Sequence, residues 1–182
     1  MGVQSLGMDK EKQYLELLKE NSNRIYRICC RYMNDRESCK DAYQEVLINV
    51  WNNLARFRGD AKISTWIYRI TVNTCLMFIK TIKKTNENVE VLSNIDHLTI
   101  PDTGTSEQHS EDEERLSFFN NFIQQLCLSD RTLVSLYLEE LSTMEIAEVT
   151  GLSEANVRVR IHRIKEQIKK DWKEKHHGTG RF

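Results

Sequence analysis

Between Phe57 and Asn73 the chain reads FRGDAKISTWIYRITVN. Here Phe57, Trp66 and Tyr68 offer flat aromatic faces, Arg58, Lys62 and Arg69 offer cations, and Asn73 offers an amide that both donates and accepts. Those residue types could hold an unstacked nucleobase, with a ring to stack on, an amide for the base edge and cations for the backbone. Asp60 comes directly after Gly59 in a turn at the head of this stretch. A helix entrance packed into a core fits the same residues. Trp66 is open to both readings, because an indole body is usually well buried.

A second constellation begins at Thr143, TMEIAEVTGLSEANVRVRIHRIK. Ile146 and small Ala147 suit a close helix contact, Gly151 falls where a tight turn needs a positive φ, Leu152 fills the inside of the turn, and Ser153 can cap a second helix. Val157, Ile161 and Ile164 give that second helix its buried stripe, leaving Asn156, Arg158, Val159, His162, Arg163 and Lys165 for base edges and phosphates in a major groove. The pattern predicts a helix-turn-helix. A structural hairpin with a basic solvent face is the blander alternative.

The elements that must position these residues all have a helical period. Leu17, Leu18, Ile25, Ile28 and Cys29 mark a helix from Tyr14 to Tyr32, which breaks at Asn34-Asp35. A second runs from about Glu37 to Leu54, with Tyr43, Val46, Leu47, Val50, Trp51 and Leu54 inward and Asp41, Gln44, Glu45, Ile48 and Asn52 outward. A third, capped by Ser64 or Thr65, continues to about Lys80 with Ile63, Ile67, Ile70, Thr74 and Phe78 as its core stripe. Residues 81–112 lose periodicity and read as an acidic, flexible linker; helical spacing returns at Glu113 and again from Asp130 to about Glu140. The expectation is an all-α chain of two small helical domains, 12–80 and 113–172, with tails at 1–11 and 173–182.

Charge is unevenly spread. Residues 56–84 carry seven basic and one acidic side chain and residues 152–182 nine and four, whereas residues 85–151 carry two and fourteen. Two basic blocks flanking an acidic one suit two separate contacts with a polyanion. Five cysteines without CxxC spacing support neither a disulfide framework nor a zinc site, and read as small buried hydrophobes in a reducing compartment. No signal peptide or membrane span is apparent, which implies a cytoplasmic protein without membrane insertion. There is no phosphate-cradling glycine loop, HExxH or nucleophile elbow, so no enzyme, catalytic residue, metal or cofactor is implied.

DAYQE at 41–45, FRGDAKISTWIYRITVN at 57–73, the acidic linker and LSDRTLVSLYLEELSTMEIAEVTGLSEANVRVRIHRIKEQI together resemble an extracytoplasmic-function sigma factor of the sigma-70 superfamily. The resemblance covers about residues 12–172. It implies a region 2-like helical bundle and a region 4-like helix-turn-helix domain acting in transcription initiation. Asp41, Gln44 and Glu45 would meet the beta-prime clamp helices of core RNA polymerase, whose beta flap is a further partner. Phe57, Arg58, Asp60, Lys62, Trp66, Tyr68, Arg69 and Asn73 would take the minus-ten element with a flipped base. Asn156, Arg158, Val159 and His162 would read minus-thirty-five bases, with Arg160, Arg163 and Lys165 on phosphates. An anti-sigma partner is also implied. Ala42-Tyr43, Ile63 and Thr143-Met144 depart from the family's usual residues in ways that packing tolerates, whereas Ala155-Asn156 and Val159 depart from them on the reading face, which leaves the promoter sequence open. A regulator acting without polymerase, or a decoy for an anti-sigma factor, are the alternatives.

Overall fold

The computed structural model describes residues 3–87 and 109–177. Within them lie helices α1 (Val3–Tyr32), α2 (Arg36–Asn53), α3 (Ile63–Glu87), α4 (His109–Gln125), α5 (Leu128–Leu138), α6 (Thr143–Thr150) and α7 (Glu154–His177), with a 3-10 turn at Leu54–Arg56. No strand occurs among the described residues. The chain forms two compact units that divide between residues 97 and 98, as an all-α chain of two helical domains. Helices α1, α3, α4 and α7 run past the bounds that periodicity suggests. The rest of the expected linker, 88–108, lies outside the described residues.

In the first unit α1, α2 and α3 pack on one another around Ile25, Ile28, Cys29, Val46, Val50, Ile67 and Tyr68. Asp35 ends the break after α1 and caps α2, its carboxylate accepting the Ser38 backbone N–H at 2.7 Å. Partial burial opposes ionisation there, but bonds from the Ser38 N–H and hydroxyl and the Glu37 N–H hold the carboxyl below its usual range. Along α1 and α2 half-buried aromatics meet edge to face, Tyr14 on Trp51 at 5.1 Å and Tyr26 on Tyr43 at 5.5 Å.

Helix α3 differs from its expected phase. It begins at Ile63, so Ser64 and Thr65 stand inside it and do not cap it. The buried face carries Thr65, Ile67, Tyr68, Thr71, Val72, Thr74 and Cys75, while Ile63, Ile70 and Phe78 are only half-buried. Threonine tolerates this because its hydroxyl can bond its own helix: Thr71 donates to the Ile67 carbonyl at 3.0 Å. Polar residue types thus occupy the core side of this helix.

The cysteines also depart from the sequence reading. Cys29 and Cys75 are buried thiols, their sulfurs 3.7 Å apart, and this hydrogen bond together with burial pushes the Cys75 thiol well up. Cys127, by contrast, is exposed. Cys30 and Cys39 form a disulfide that joins the last turn of α1 to the first of α2 across a separation of nine residues. Periodicity could not pair them because the break between the helices sets their approach. Closing so short a loop limits the unfolded chain modestly, so reduction should lower first-unit stability by about 2 kcal/mol. Urea melts with and without dithiothreitol would test this, and coincident curves would exclude a structural role.

The second unit is built on α5, α6 and α7 with α4 alongside. Phe122, Ile123, Val134 and Ile164 form a core cluster, backed by Phe119, Leu126, Leu138 and Ile168. Ser142 caps α6 in a reciprocal box with Glu145, and Gly151 closes that helix at φ 75. Ser153 then caps α7, its hydroxyl accepting the Asn156 N–H at 3.3 Å.

Candidate nucleic-acid interface

In the first unit, the turn before α3 pivots on Gly59, at φ 78, and leaves Arg58, Asp60 and Lys62 exposed. Phe57 is half-buried because its ring leans on Trp66, with centroids 5.3 Å apart. Trp66, Arg69 and Asn73 succeed one another at three and four residues and therefore share one face of α3. Trp66 and Asn73 line a surface groove of about 280 Å³ with Asn49 and Asn53 of α2, Arg56, Ile70 and Thr74.

Sequence spacing does not single out Asn49, Asn53 and Arg56. Two amides four residues apart on α2 are the available signal, and they read as ordinary polar surface. In the structure Asn53 is anchored by donating to the Asn49 carbonyl at 2.8 Å, and Asn49 donates to Thr74 at 3.2 Å. The groove thus combines an indole wall, three amides and a guanidinium, the chemistry that a single unstacked base requires.

Tyr68 is a correction. Two residues beyond Trp66 a helix has turned by roughly 200°, so the two side chains leave on nearly opposite sides. Tyr68 is 1% exposed, and its hydroxyl donates to Asn21 of α1 at 3.2 Å while accepting from Arg24 at 3.4 Å. Asn21 in turn donates to the Leu17 carbonyl at 2.9 Å. Tyr68 ties α3 to α1 and lines no surface in this structure.

On α2, Asp41, Gln44 and Glu45 are exposed together with Ile48, which is 53% exposed. Three polar residues around an uncovered aliphatic one give this face both charge and an apolar centre.

In the second unit, α7 presents Asn156, Arg158, Val159, His162, Arg163 and Lys165 to solvent, with Val159 67% exposed. Lys165 lies over the Tyr137 ring of α5, 4.0 Å from its centroid, and donates to its hydroxyl. Arg163 is well exposed and reaches one Asp130 oxygen at 3.4 Å.

Arg160 is the second correction. It is only 19% exposed and holds Asp130 of α5 through two donors, at 2.8 and 2.6 Å, with a third bond to Ser129. Its guanidinium is used to set α7 on α5, leaving it poorly placed for phosphate. Arg160→Ala is expected to cost about 1–2 kcal/mol, since a charged hydrogen-bonded pair loses one partner and Arg163 compensates in part. An unchanged denaturation midpoint of the second unit would refute that.

Both units have counterparts among known proteins. Residues 17–85 match Sigma-70 region 2 and residues 121–168 match Sigma-70 region 4. The ECF RNA polymerase sigma-E factor of Haemophilus influenzae is 30% identical over 174 residues, covering 91% of this chain and 90% of that protein. The ECF sigma factor SigW of Bacillus subtilis is 29% identical over 163 residues, covering 86% and 87%. Among solved structures, sigma factor RpoE in complex with the anti-sigma factor NepR from Bartonella quintana shares the fold, with TM-score 0.68 at 14% identity over 93% of this chain and 99% of that one. CnrH in complex with the cytosolic domain of CnrY gives 0.62 at 16%, over 87% and 86%. With region 2 and region 4 in order along nearly its whole length, the chain belongs to the extracytoplasmic-function sigma factors of the sigma-70 family, which bind RNA polymerase and promoter DNA in transcription initiation.

Proposed function

We propose that the groove between α2 and α3 holds a base flipped from the melted minus-ten element, and that α7 reads the upstream minus-thirty-five duplex. The observation that carries this reading is the groove itself, where Trp66, Asn73, Asn49, Asn53 and Arg56 converge on a volume of about 280 Å³. Extruding a base costs a few kcal/mol, which a merely basic surface could not offset but stacking plus amide bonding can. Phe57 backs the Trp66 ring, and Arg58, Lys62 and Arg69 supply cations to the strand on either side.

Docking on core polymerase falls to Asp41, Gln44 and Glu45, with Ile48 as the apolar centre that a polar face alone would lack. The clamp helices of beta-prime are the partner for this face, and the beta flap a partner of the second unit. Catalysis belongs to the polymerase. The reading includes an anti-sigma factor, supported by a solved structure of the same fold, a sigma factor in complex with the anti-sigma factor NepR. No helix of the described residues is long and apolar enough to cross a membrane. Work on chromosomal promoters would be carried out in the cytoplasm.

In vitro transcription with core polymerase on a library of genomic fragments tests the whole reading. Specific transcripts that depend on this chain are expected. Their absence from every fragment, with core binding intact in a pull-down, would favour a decoy that engages polymerase or an anti-sigma factor without opening promoters.

A further inference from the structure

Glu154, the first residue of α7, stands in an otherwise basic reading face and is tied in two directions. One of its oxygens, Oε1, accepts the Thr143 hydroxyl of α6 at 2.7 Å and an Arg158 guanidinium N–H at 2.6 Å. The two bonds, that from Thr143 foremost, hold the carboxyl below its usual range, so it is ionised at neutral pH. Arg158 is 66% exposed and Glu154 40%, so the pair lies where solvent or DNA reaches it. An exposed pair four residues apart on a helix contributes little to stability. Its effect on geometry is larger, because an arginine side chain otherwise has many rotamers and this one is held by a carboxylate that is itself anchored to the neighbouring helix.

We infer that Glu154 is a positioning and specificity-determining residue for upstream promoter reading, which orients Arg158 through the Thr143–Glu154–Arg158 relay. This rests on α7 being the duplex-reading helix. With one guanidinium nitrogen engaged by Glu154, Arg158 keeps donors on its remaining edge, and two parallel donors are what a guanine O6 and N7 accept. The carboxylate also repels phosphates, so Arg158 is discouraged from settling on the backbone, a contact that carries no sequence information. Removing Glu154 therefore leaves a mobile cation that binds duplex DNA well and discriminates poorly. The expected signature is a loss of selectivity without loss of affinity.

Holoenzyme reconstituted from core polymerase and the full chain, presented with duplexes randomised across the upstream element, gives the test. The wild-type chain should enrich one base pair through Arg158, and Glu154→Ala should reduce that preference about tenfold, with binding to unselected duplex equal or stronger. Glu154→Gln, which keeps an acceptor oxygen of the same shape, should restore part of the preference. Thr143→Val, which frees the carboxylate from α6, should weaken it. Melting curves of each variant separate these effects from unfolding, since a merely structural link would shift the curve and leave the base preference of folded holoenzyme unchanged. If Arg158→Ala abolishes the preference and Glu154→Ala leaves it intact, the role of Glu154 is refuted while the reading of α7 stands. If neither substitution changes the preference, both fall.

Discussion

Tyr68→Ala is expected to remove about 3–5 kcal/mol from the first unit, the cost of deleting a fully buried aromatic side chain and leaving its cavity. A small domain is stable by about 5–15 kcal/mol in all, so this removes a large share of the margin and the melting midpoint of the first unit should fall steeply. Core polymerase binding should weaken in step with the fraction of that unit unfolded. Tyr68→Phe isolates the hydroxyl: the ring still packs, but Asn21 loses its donor in the interior, at about 1–3 kcal/mol. Circular dichroism melts read both changes. Had Tyr68 served as a stacking plate for the flipped base, Tyr68→Ala would leave the melt and core binding intact and impair only promoter opening, and that outcome would overturn the structural assignment.

Trp66→Ala should do the reverse. Stacking of one base on an aromatic side chain is worth about 1–3 kcal/mol, so opening should slow by about 5- to 150-fold if that stacking is made in the rate-limiting step. Trp66→Phe keeps a plane and should recover most of the rate. Asn73→Ala removes an amide from the same groove and should slow opening less, while a base substitution at the captured position should hurt the wild-type chain more than this variant. Permanganate footprinting of the melted strand tracks the opening, and a pull-down of core polymerase checks that docking survives. Equal opening rates for the wild-type and Trp66→Ala chains would remove the groove from the mechanism.

Much of this is legible in residue types alone. The helix-turn-helix is readable because its turn chemistry is local: Gly151 adopts the left-handed conformation and Ser153 caps α7, each within a few residues of the feature it creates. The outward face of α2 is readable because charge and amide types recur at helical spacing over the span 41–52. What escapes depends on partners distant in sequence. The isoleucines of α3 suggest one phase for that helix, whereas threonines that satisfy their own hydroxyls occupy the core side. Tyr68 meets Asn21 and Arg24 across more than forty residues, and Arg160 meets Asp130 across thirty. Asn49 and Asn53 become part of a groove only when α3 is laid against α2. A polar side chain has the same letter whether it faces DNA or closes an internal bond.

The Asp130–Arg160 pair changes how strongly α7 should respond to ionic strength. A cation that neutralises a phosphate releases condensed counterions and adds about −0.9 to the slope of log affinity against log salt. Arg160 is already neutralised within the fold, so it has no such release to contribute. Of the four arginines and lysines offered by residues 158–165, Arg158 is paired with Glu154 and directed at a base, so the ion count of upstream binding draws on Arg163 and Lys165.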